Sequence, residues 1–407
     1  MQTHQKPVYP TGYAIETAIN AYKASPNDPH QPSSMPIYQT STFIQPSANE
    51  LQEYDYTRSA NPTRTALEIL VSGMEGSDRA FAFTSGMSAL ACMTRLLKAG
   101  DEILCNADIY GGMYRILSKI TTRQGVAVKF VKSWELDEVR KALSPRTKMV
   151  HIESPSNPLM MVTDIRALSK IVHDHGALLT IDNTILSAYL MKPLELGADV
   201  VVHSGTKFYG GHADVMAGFV CCKTPELSKQ IYFHQNAEGT GLAPFDCWLV
   251  MRGMKTMCLR IDRAQENAMV VAKWLANHSL ITKVHYAGLK TAKASQSPGQ
   301  EIKHALHMSQ AKGAGVLLSF ETGDVKVSEA IVSALKVFKI TVSFGGCSSV
   351  VEMPCLLSHA SIPKEEQHIP ADVVRMSVGI ENINDIMADI AQAFKAGEAV
   401  AKKSSKL

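Results

Sequence analysis

The sequence predicts an α/β protein whose large domain contains a mostly parallel sheet covered by helices on both faces. Between about residues 61 and 225, short apolar runs rich in β-branched residues alternate with helical patterns. Runs of this length and content are typical of buried strands, and their alternation with helices is typical of parallel sheets. Two of the runs also end in chemically reactive residues, namely Asp182 and the segment Ser204-Gly205-Thr206-Lys207.

The predicted elements divide the chain into three parts. Residues 1–60 are rich in proline and aromatic residues and show little periodicity, which predicts an extended arm. Strands are predicted at 81–83, 102–105, 127–131, 148–152, 177–181 and 198–203, with a helix after the first that runs through Leu96. A helical stretch over about 246–278 then precedes strands at 316–320 and 373–377 and further amphipathic helices. We therefore predict an arm over 1–60, a large domain over 61–258 and a C-terminal domain over 259–407.

Composition argues against several classes of protein. The 407 residues carry 41 basic and 38 acidic side chains, so the net charge of +3 predicts neither a nucleic-acid nor a membrane-surface partner. No apolar stretch approaches the ~18 residues of a membrane span, and the N-terminus does not resemble a signal peptide. The eight cysteines contain no C-x-x-C pair and lie in mostly apolar surroundings, which predicts buried thiols rather than disulfides or a metal site. We expect a soluble intracellular protein without a metal.

Lys207 and Asp182 are the main candidates for catalysis. Each lies at the end of a predicted buried strand. A lysine amine forms a Schiff base with the aldehyde of pyridoxal phosphate, and an aspartate pairs with the nitrogen of its ring. Taken singly, each residue is more often a solvated lysine or a helix-capping aspartate. Their occurrence together with the residues below favours a pyridoxal-phosphate site.

The strand-to-helix turn Thr84-Ser85-Gly86-Met87-Ser88 is the candidate phosphate site. Backbone N–H groups at the start of a helix, aided by the helix dipole, bind anions. Ser204 and Thr206 are predicted to donate hydroxyl groups to the same phosphate. Turns of this composition are common, so the motif is informative only together with Lys207.

Three further residues are candidate ligands of the cofactor or the substrate. Tyr110 follows another predicted strand and can stack on a pyridine ring, although a core or surface tyrosine is the alternative. Arg58 lies in the arm beside Tyr56, where it is either solvated or a phosphate ligand for a neighbouring subunit. Arg375, near the end of a late strand, is the candidate ligand of a substrate α-carboxylate.

The chain resembles the trans-sulfuration family of pyridoxal-phosphate enzymes of cysteine and methionine metabolism. The motifs that carry the resemblance are Tyr56-Thr57-Arg58, Asn61-Pro62-Thr63-Arg64, Ser85-Gly86-Met87, Tyr110-Gly111-Gly112, Glu153-Ser154-Pro155-Ser156-Asn157-Pro158, Asp182-Asn183-Thr184, Ser204-Gly205-Thr206-Lys207, Gly211-His212-Ala213-Asp214, Arg252-Gly253-Met254-Lys255-Thr256 and Pro354-Cys355-Leu356-Leu357-Ser358-His359-Ala360-Ser361. They cover roughly positions 36–395. One departure is Gly205, where relatives usually have alanine.

The resemblance implies an aspartate-aminotransferase-like fold (fold type I) and a role for each motif residue. The implied catalytic residues are the Schiff-base lysine Lys207, the pyridinium partner Asp182 and Tyr110, which stacks on the ring and polarises the leaving group. The implied phosphate ligands are Gly86, Met87, Ser204 and Thr206, with Tyr56 and Arg58 from an adjacent subunit. The implied ligands of the substrate carboxylate are Asn157, Ser343 and Arg375. Arg115, which follows Tyr110 by five residues, is a further candidate, for a distal carboxylate of the substrate, with a solvated helix arginine as the alternative. The implied assembly is a homotetramer built from dimers that share active sites.

Within the family, the motifs look most like those of eukaryotic, plant-type cystathionine β-lyases. This implies cleavage of L-cystathionine with water to homocysteine, pyruvate and ammonia, a step of methionine biosynthesis. Ser348 stands where γ-lyases usually carry an acid, and Gly112 where methionine γ-lyases typically carry cysteine. Cystathionine γ-synthase and γ-lyase remain alternatives. A non-catalytic binding protein that keeps the fold is an alternative of another class, against which the presence of Lys207, Asp182, Tyr110 and Arg375 argues.

The C-terminal Ser405-Lys406-Leu407 predicts import into peroxisomes, with the cytosol as the alternative. A terminal Ser-Lys-Leu is an address that a peroxisomal import receptor reads, and the polar lysines and serines before it favour an accessible tail. A fluorescent fusion that keeps this C-terminus is expected to appear in puncta and to become diffuse when Leu407 is deleted. A diffuse signal from both proteins would contradict the prediction.

Overall fold

The computed structural model describes residues 8–26, 28–290, 300–358 and 369–404. The strands are β1 (Arg79–Phe83), β2 (Glu102–Asn106), β3 (Ala127–Val131), β4 (Thr147–Glu153), β5 (Leu178–Asp182), β6 (Val200–Ser204), β7 (Gly218–Cys222), β8 (Lys283–His285), β9 (Leu317–Glu321), β10 (Lys339–Ile340), β11 (Val350–Glu352) and β12 (Val374–Ser377). The α-helices are α1 (Ile15–Ala21), α2 (Pro62–Glu75), α3 (Gly86–Thr94), α4 (Gly111–Ile116), α5 (Leu136–Ala142), α6 (Ile165–Asp174), α7 (Ser187–Leu190), α8 (Pro225–Glu238), α9 (Pro244–Met254), α10 (Met257–Asn277), α11 (Gln300–Gln310), α12 (Val325–Ala334) and α13 (Ile383–Ser404). The end of the 354–361 motif and the C-terminal Ser405-Lys406-Leu407 lie outside the described residues.

The residues group into two compact units. The first contains Met1–Lys98 and Leu178–Cys258, and the second contains Ala99–Ala177 and Leu259–Leu407. These units differ from the three segments expected from the sequence, and the division at residues 60 and 258 stays a prediction.

The first unit contains four strands in the order β1-β7-β6-β5. Strands β5 and β6 are parallel, with Asp182 opposite Val202, whereas β7 is antiparallel to both β6 and β1. Every residue of β7 is buried, as expected for an interior strand covered on both faces. The C-terminal ends of β5 and β6 thus place Asp182 and Ser204 at one edge of the sheet.

The arm is not wholly extended, because it contains the short helix α1. This helix buries Ile15, Ala18 and Ile19, which are spaced for one helical face. The side-chain amine of Lys255 donates a hydrogen bond of 2.6 Å to the carbonyl of Ile19. This contact lies where the helical stretch predicted over 246–278 is divided into α9 and α10.

Gly205 has a packing reason to be glycine. A Cβ atom at this position would lie 2.6 Å from Cε2 of Phe219 and 2.9 Å from Cβ of Ala217. Phe219 is fully buried in β7. The alanine that is usual in relatives would therefore force a buried side chain to shift.

We expect Gly205→Ala to destabilise the protein by about 1–3 kcal/mol, as overpacking of a core typically does. Urea denaturation followed by circular dichroism measures the loss. In the matched pair Phe219→Leu and Gly205→Ala/Phe219→Leu, the alanine is expected to cost less, because the smaller side chain relieves the clash. An equal cost in both backgrounds would contradict the packing explanation.

The second unit contains two sets of strands. Strands β4, β2 and β3 are neighbours in that order and run parallel. A five-stranded sheet has the order β10-β11-β12-β9-β8 and is mostly antiparallel. A buried apolar cluster covers the five-stranded sheet with residues of α10, α12 and α13, such as Phe394, which pack with strand residues such as Phe320. The cluster makes a rigid support for β12, which carries Arg375.

Three further expectations from the sequence concern membrane spans, metal sites and disulfides. Among the described residues, no helix is long and apolar enough to cross a bilayer. In the same part of the chain, no group of three or more His, Cys, Asp and Glu side chains is placed to hold a metal ion. All eight cysteines are free thiols, and six of them are buried.

Candidate active site

In the first unit, the structure brings Asp182 and Lys207 together. Asp182 is the last residue of β5, and Lys207 lies in a short π-helical turn, Thr206–Gly210, just after β6. The backbone at Lys207 leaves helical geometry, with ψ −111°, inside this turn. Burial raises the pKa of the Asp182 carboxyl, and the charge of Lys207 is close enough to oppose part of this rise. The two predicted catalytic residues therefore lie close together in the first unit.

The electrostatic environment of Asp182 suits a cationic partner. Burial raises the pKa of this carboxyl above its ordinary value, while hydrogen bonds from Thr184 and the charges of His203 and Lys207 oppose the rise. Oδ1 of Asp182 accepts a hydrogen bond of 2.8 Å from the backbone N–H of Thr184. A protonated ring nitrogen would add a positive charge at this buried carboxylate and stabilise its ionised form. Asp182 thus fits the predicted partner of a pyridinium ring.

The start of α3 forms a close-packed cradle for an anion. Ser85 is the N-cap of this helix, and its hydroxyl accepts a hydrogen bond from the N–H of Ser88. A Cβ on Gly86 would lie 2.9 Å from Cβ of Ser204, and a Cβ on Gly218 would lie 2.2 Å from the carbonyl oxygen of Ser85. The first N–H groups of a helix lack partners inside the helix and attract phosphate. The structure therefore brings Gly86, Met87 and Ser204 together at a place that fits a phosphate group.

Thr206 has a structural role in addition to its predicted one. Its Oγ1 accepts a hydrogen bond of 3.1 Å from the N–H of Ala217 and lies 3.3 Å from the carbonyl oxygen of the same residue. The hydroxyl thereby holds the turn that carries Lys207 against the segment leading into β7. Its contribution to phosphate binding stays a prediction.

A buried Glu75–His203 pair near Asp182 was not predicted from the sequence. Nε2 of His203 lies 2.5 Å from Oε1 of Glu75, and both side chains are fully buried. The ring of Tyr209 packs edge-on against His203 at 5.2 Å. The two partners stand 128 positions apart on α2 and β6, and no local pattern indicates such a pair.

Tyr56 and Arg58 lie in the arm. Both are exposed, and the Arg58 guanidinium lies 5.5 Å from the centroid of the Tyr56 ring. They line an open cavity of about 370 Å³ with residues 39–41, Thr57 and Pro244. The backbone carbonyls of Thr57 and Arg58 accept hydrogen bonds of 2.7 and 3.0 Å from the buried Arg64. Arg64, which belongs to a resemblance motif but had no predicted role, therefore fixes the segment that presents Arg58.

In the second unit, Tyr110 is held by a buried carboxylate. Oε1 of Glu153 accepts a hydrogen bond of 2.9 Å from the backbone N–H of Tyr110, just before α4. Asp108 binds the opposite loop, because its Oδ2 accepts hydrogen bonds from the Ser156 hydroxyl and from the N–H of Leu159. Glu153 and Asp108 thus tie the Tyr110 loop to the loop that carries Asn157.

Arg375 meets two other predicted carboxylate ligands. Nη1 of Arg375 donates to Oδ1 of Asn157 at 3.1 Å, and Nη2 donates to the carbonyl oxygen of Ser343 at 2.8 Å. Arg375 is only 3% exposed, and Ser343 has a positive φ of 89°. The Tyr110 phenol is close enough to influence the pKa of Arg375. The structure therefore brings together four residues of the second unit, namely Asn157, Ser343, Arg375 and Tyr110.

Arg115, the candidate for the distal carboxylate of the substrate, is exposed in the last turn of α4. If it binds that carboxylate, Arg115→Ala raises KM for a substrate with a second amino-acid head group by about tenfold, with little change in kcat. The comparison substrate is a thioether of cysteine without that head group, for which KM is expected to stay constant. Equal changes in KM for both substrates would show that Arg115 is a solvated surface residue.

Comparison with known proteins relates the whole chain to one family. A family model described as Cys/Met metabolism PLP-dependent enzyme matches residues 16–395. The chloroplastic cystathionine beta-lyase of Arabidopsis thaliana is 52% identical over 371 residues, which cover 90% of this chain and 78% of that protein. The cystathionine beta-lyase of Neurospora crassa is 44% identical over 393 residues, covering 95% and 83%. The crystal structure of cystathionine gamma-lyase from Lactobacillus plantarum complexed with L-serine has a TM-score of 0.90 and 35% identity, covering 95% of this chain and 100% of that one.

Proposed function

Because this chain belongs to the PLP-dependent enzymes of Cys/Met metabolism, we propose that it is a cystathionine β-lyase. The reaction converts L-cystathionine and water to L-homocysteine, pyruvate and ammonia, in methionine biosynthesis. The observation that carries the proposal is the 52% and 44% identity, over nine-tenths of the chain or more, to proteins named cystathionine beta-lyase. The α/β architecture with mostly parallel strands in the large sheet agrees with the predicted fold type I.

The residues of the first unit fit pyridoxal phosphate. When bound, this cofactor supplies an aldehyde for amine exchange and an electron-accepting ring. The glycine-lined start of α3 and Ser204 hold its phosphate, and Asp182 holds the ring nitrogen in its protonated form. Lys207, beside Asp182, takes the proton from Cα of the substrate as the general base.

The residues of the second unit bind and orient the amino acid. Arg375 and Asn157 hold the α-carboxylate, which fixes the substrate at one end. Tyr110, held through its backbone by Glu153, stacks on the ring and polarises the sulfur that leaves Cβ. Holding the substrate in this way favours cleavage of the bond between Cβ and sulfur over other bonds.

Product analysis tests the proposal. The purified holoenzyme is incubated with L-cystathionine, and the keto acid and the thiol are identified. Pyruvate with homocysteine is the expected result. Release of 2-oxobutyrate with cysteine would contradict it and show γ cleavage.

The second candidate is γ chemistry, as a cystathionine γ-lyase or γ-synthase. It is favoured by structural neighbours with those names, such as a cystathionine gamma synthase from Xanthomonas oryzae in complex with cystathionine, with a TM-score of 0.91 at 33% identity. The identity to these neighbours is lower than the identity to the proteins named cystathionine beta-lyase, which favours β cleavage. The serine at position 348, where γ-lyases usually carry an acid, also favours β cleavage. A non-catalytic role would appear as a chain that gains no visible absorbance with pyridoxal phosphate or no activity.

We also propose a homotetramer of dimers in which Tyr56 and Arg58 complete the phosphate site of an adjacent subunit. The exposure of both side chains in a well-fixed segment supports this assembly, because the buried Arg64 donates hydrogen bonds to the backbone carbonyls of Thr57 and Arg58. Peroxisomal import through Ser405-Lys406-Leu407 stays a proposal, which the fusion protein described above tests.

A further inference from the structure

Arg375 already has an acidic partner within the protein. Glu352 on β11 is the register partner of Arg375 on β12, and its Oε1 lies 2.7 Å from Nη2 of Arg375. Glu352 is fully buried and Arg375 is 3% exposed. The Ser358 hydroxyl donates a second hydrogen bond, of 2.6 Å, to the same Oε1. Glu352 lies outside the sequence motifs that indicate the site.

The geometry around Nη2 limits how a substrate carboxylate can bind. Nη2 carries two hydrogens and has two close acceptors, Oε1 of Glu352 and the carbonyl oxygen of Ser343. A carboxylate can bind a guanidinium with both of its oxygens in two ways, through Nη1 and Nη2 or through Nε and Nη2. Both ways use one hydrogen of Nη2. A bidentate carboxylate must therefore compete with one of these two acceptors. Glu352 is the stronger competitor, since it carries a full negative charge in a buried place.

The charges also indicate that Glu352 competes with a substrate carboxylate for Arg375. Burial lowers the pKa of Arg375, and Glu352 opposes this effect by stabilising the cation. The protein thereby avoids an unpaired buried charge when no substrate is bound, which would be costly. When a carboxylate binds, however, one cation faces two anions, and their mutual repulsion weakens binding.

We propose that Glu352 is a positioning residue that sets the affinity of Arg375 for the substrate α-carboxylate. It orients and neutralises the guanidinium in the empty site and weakens carboxylate binding through its negative charge. This inference rests on the proposed function only in taking Arg375 as the carboxylate ligand. It extends that function by identifying a residue that tunes KM and product release without touching the substrate.

Ligand binding to the holoenzyme of Glu352→Gln tests the charge. Glutamine keeps the shape and the acceptor oxygen but removes the negative charge. We expect the variant to bind glycine about tenfold more tightly than wild type, as expected when one like charge is removed from beside a buried guanidinium. Glycinamide, which has the same amine and no carboxylate, is expected to bind equally to both. Isothermal titration calorimetry measures all four dissociation constants.

A matched control is Glu321→Gln. Glu321 belongs to the same sheet and forms a partly buried pair with His285, at 2.6 Å between Oε1 and Nε2. This variant is expected to bind glycine as wild type does. An unchanged affinity of Glu352→Gln for glycine, or an equal change for glycine and glycinamide, would overturn the inference.

Ser358→Ala provides a second, milder variant in case Glu352→Gln does not fold. Without the Ser358 hydrogen bond, the Glu352 carboxylate interacts more strongly with Arg375. Glycine is therefore expected to bind about twofold to threefold more weakly. Tighter or unchanged binding would overturn the inference. Failure of the proposed function would show differently, as a wild-type holoenzyme that binds glycine but does not cleave cystathionine.

Discussion

Replacement of Lys207 with alanine is expected to abolish cystathionine cleavage and leave the fold intact. In the proposed site, this side chain supplies both the amine that links the cofactor and the base that removes the Cα proton. Loss of a general base alone typically costs a factor of about 10²–10⁴, so loss of both roles should exceed that range. The turn that carries Lys207 is held by backbone contacts, such as the hydrogen bond of 2.7 Å from Gly211 N–H to the Lys207 carbonyl, which alanine keeps.

Two measurements separate this role from a loss of structure. Pyruvate release gives the activity, and thermal unfolding followed by circular dichroism gives the stability. Borohydride reduction followed by mass spectrometry should find the cofactor attached to wild type at position 207 and not attached in Lys207→Ala. Lys223→Ala, at an exposed lysine just after β7, is the control and should behave as wild type. A variant at position 207 that keeps a tenth of the wild-type activity would contradict the assignment.

Replacement of Arg58 with alanine is expected to weaken binding of pyridoxal phosphate by about 10- to 100-fold. A charge-assisted hydrogen bond to phosphate contributes about 1.5–3 kcal/mol. Because the side chain of Arg58 is exposed in its own chain, we expect its partner to be the cofactor of an adjacent subunit. Equilibrium titration of the apoenzyme with the cofactor measures the loss.

Mixing variants tests the shared site directly. In a dimer of one Arg58→Ala chain and one Lys207→Ala chain, one of the two sites receives Lys207 from the first chain and Arg58 from the second. Such hybrids, formed by refolding an equimolar mixture, should recover activity that neither parent has at limiting cofactor. The control mixes Arg58→Ala with the double variant Arg58→Ala/Lys207→Ala, in which no chain supplies Arg58. An active, fully loaded monomer would show that the site is not shared.

The strands of the large sheet could be predicted from the sequence because their signals are local. Apolar runs of three to six residues, several of them rich in β-branched side chains, predicted β1 to β6 to within about two residues. Asp182 and Lys207 were found by the same means, since each follows such a run, and the structure brings them together. Helix α1 and the division between α9 and α10 were missed. Both depend on a contact between segments far apart in the sequence, from Lys255 to Ile19.

The partners of the site residues could not be predicted, because nothing local indicates them. Glu153 binds the backbone of Tyr110 across 43 positions, and Glu75 meets His203 across 128. Glu352 contacts Arg375 because β11 and β12 pair in one register. A shift of that register by one residue would turn the carboxylate to the other face of the sheet.

The sequence by itself determined the family, the cofactor and the identity of the reactive groups, because these depend on residue types in short, fixed patterns. The tertiary structure decided how those groups are held and charged. It showed that a Cβ at position 205 would crowd the buried Phe219, that burial raises the pKa of Asp182, and that Arg375 has a buried acidic partner. The physical reason is that packing and electrostatic energies depend on distances between side chains, which only the folded chain defines.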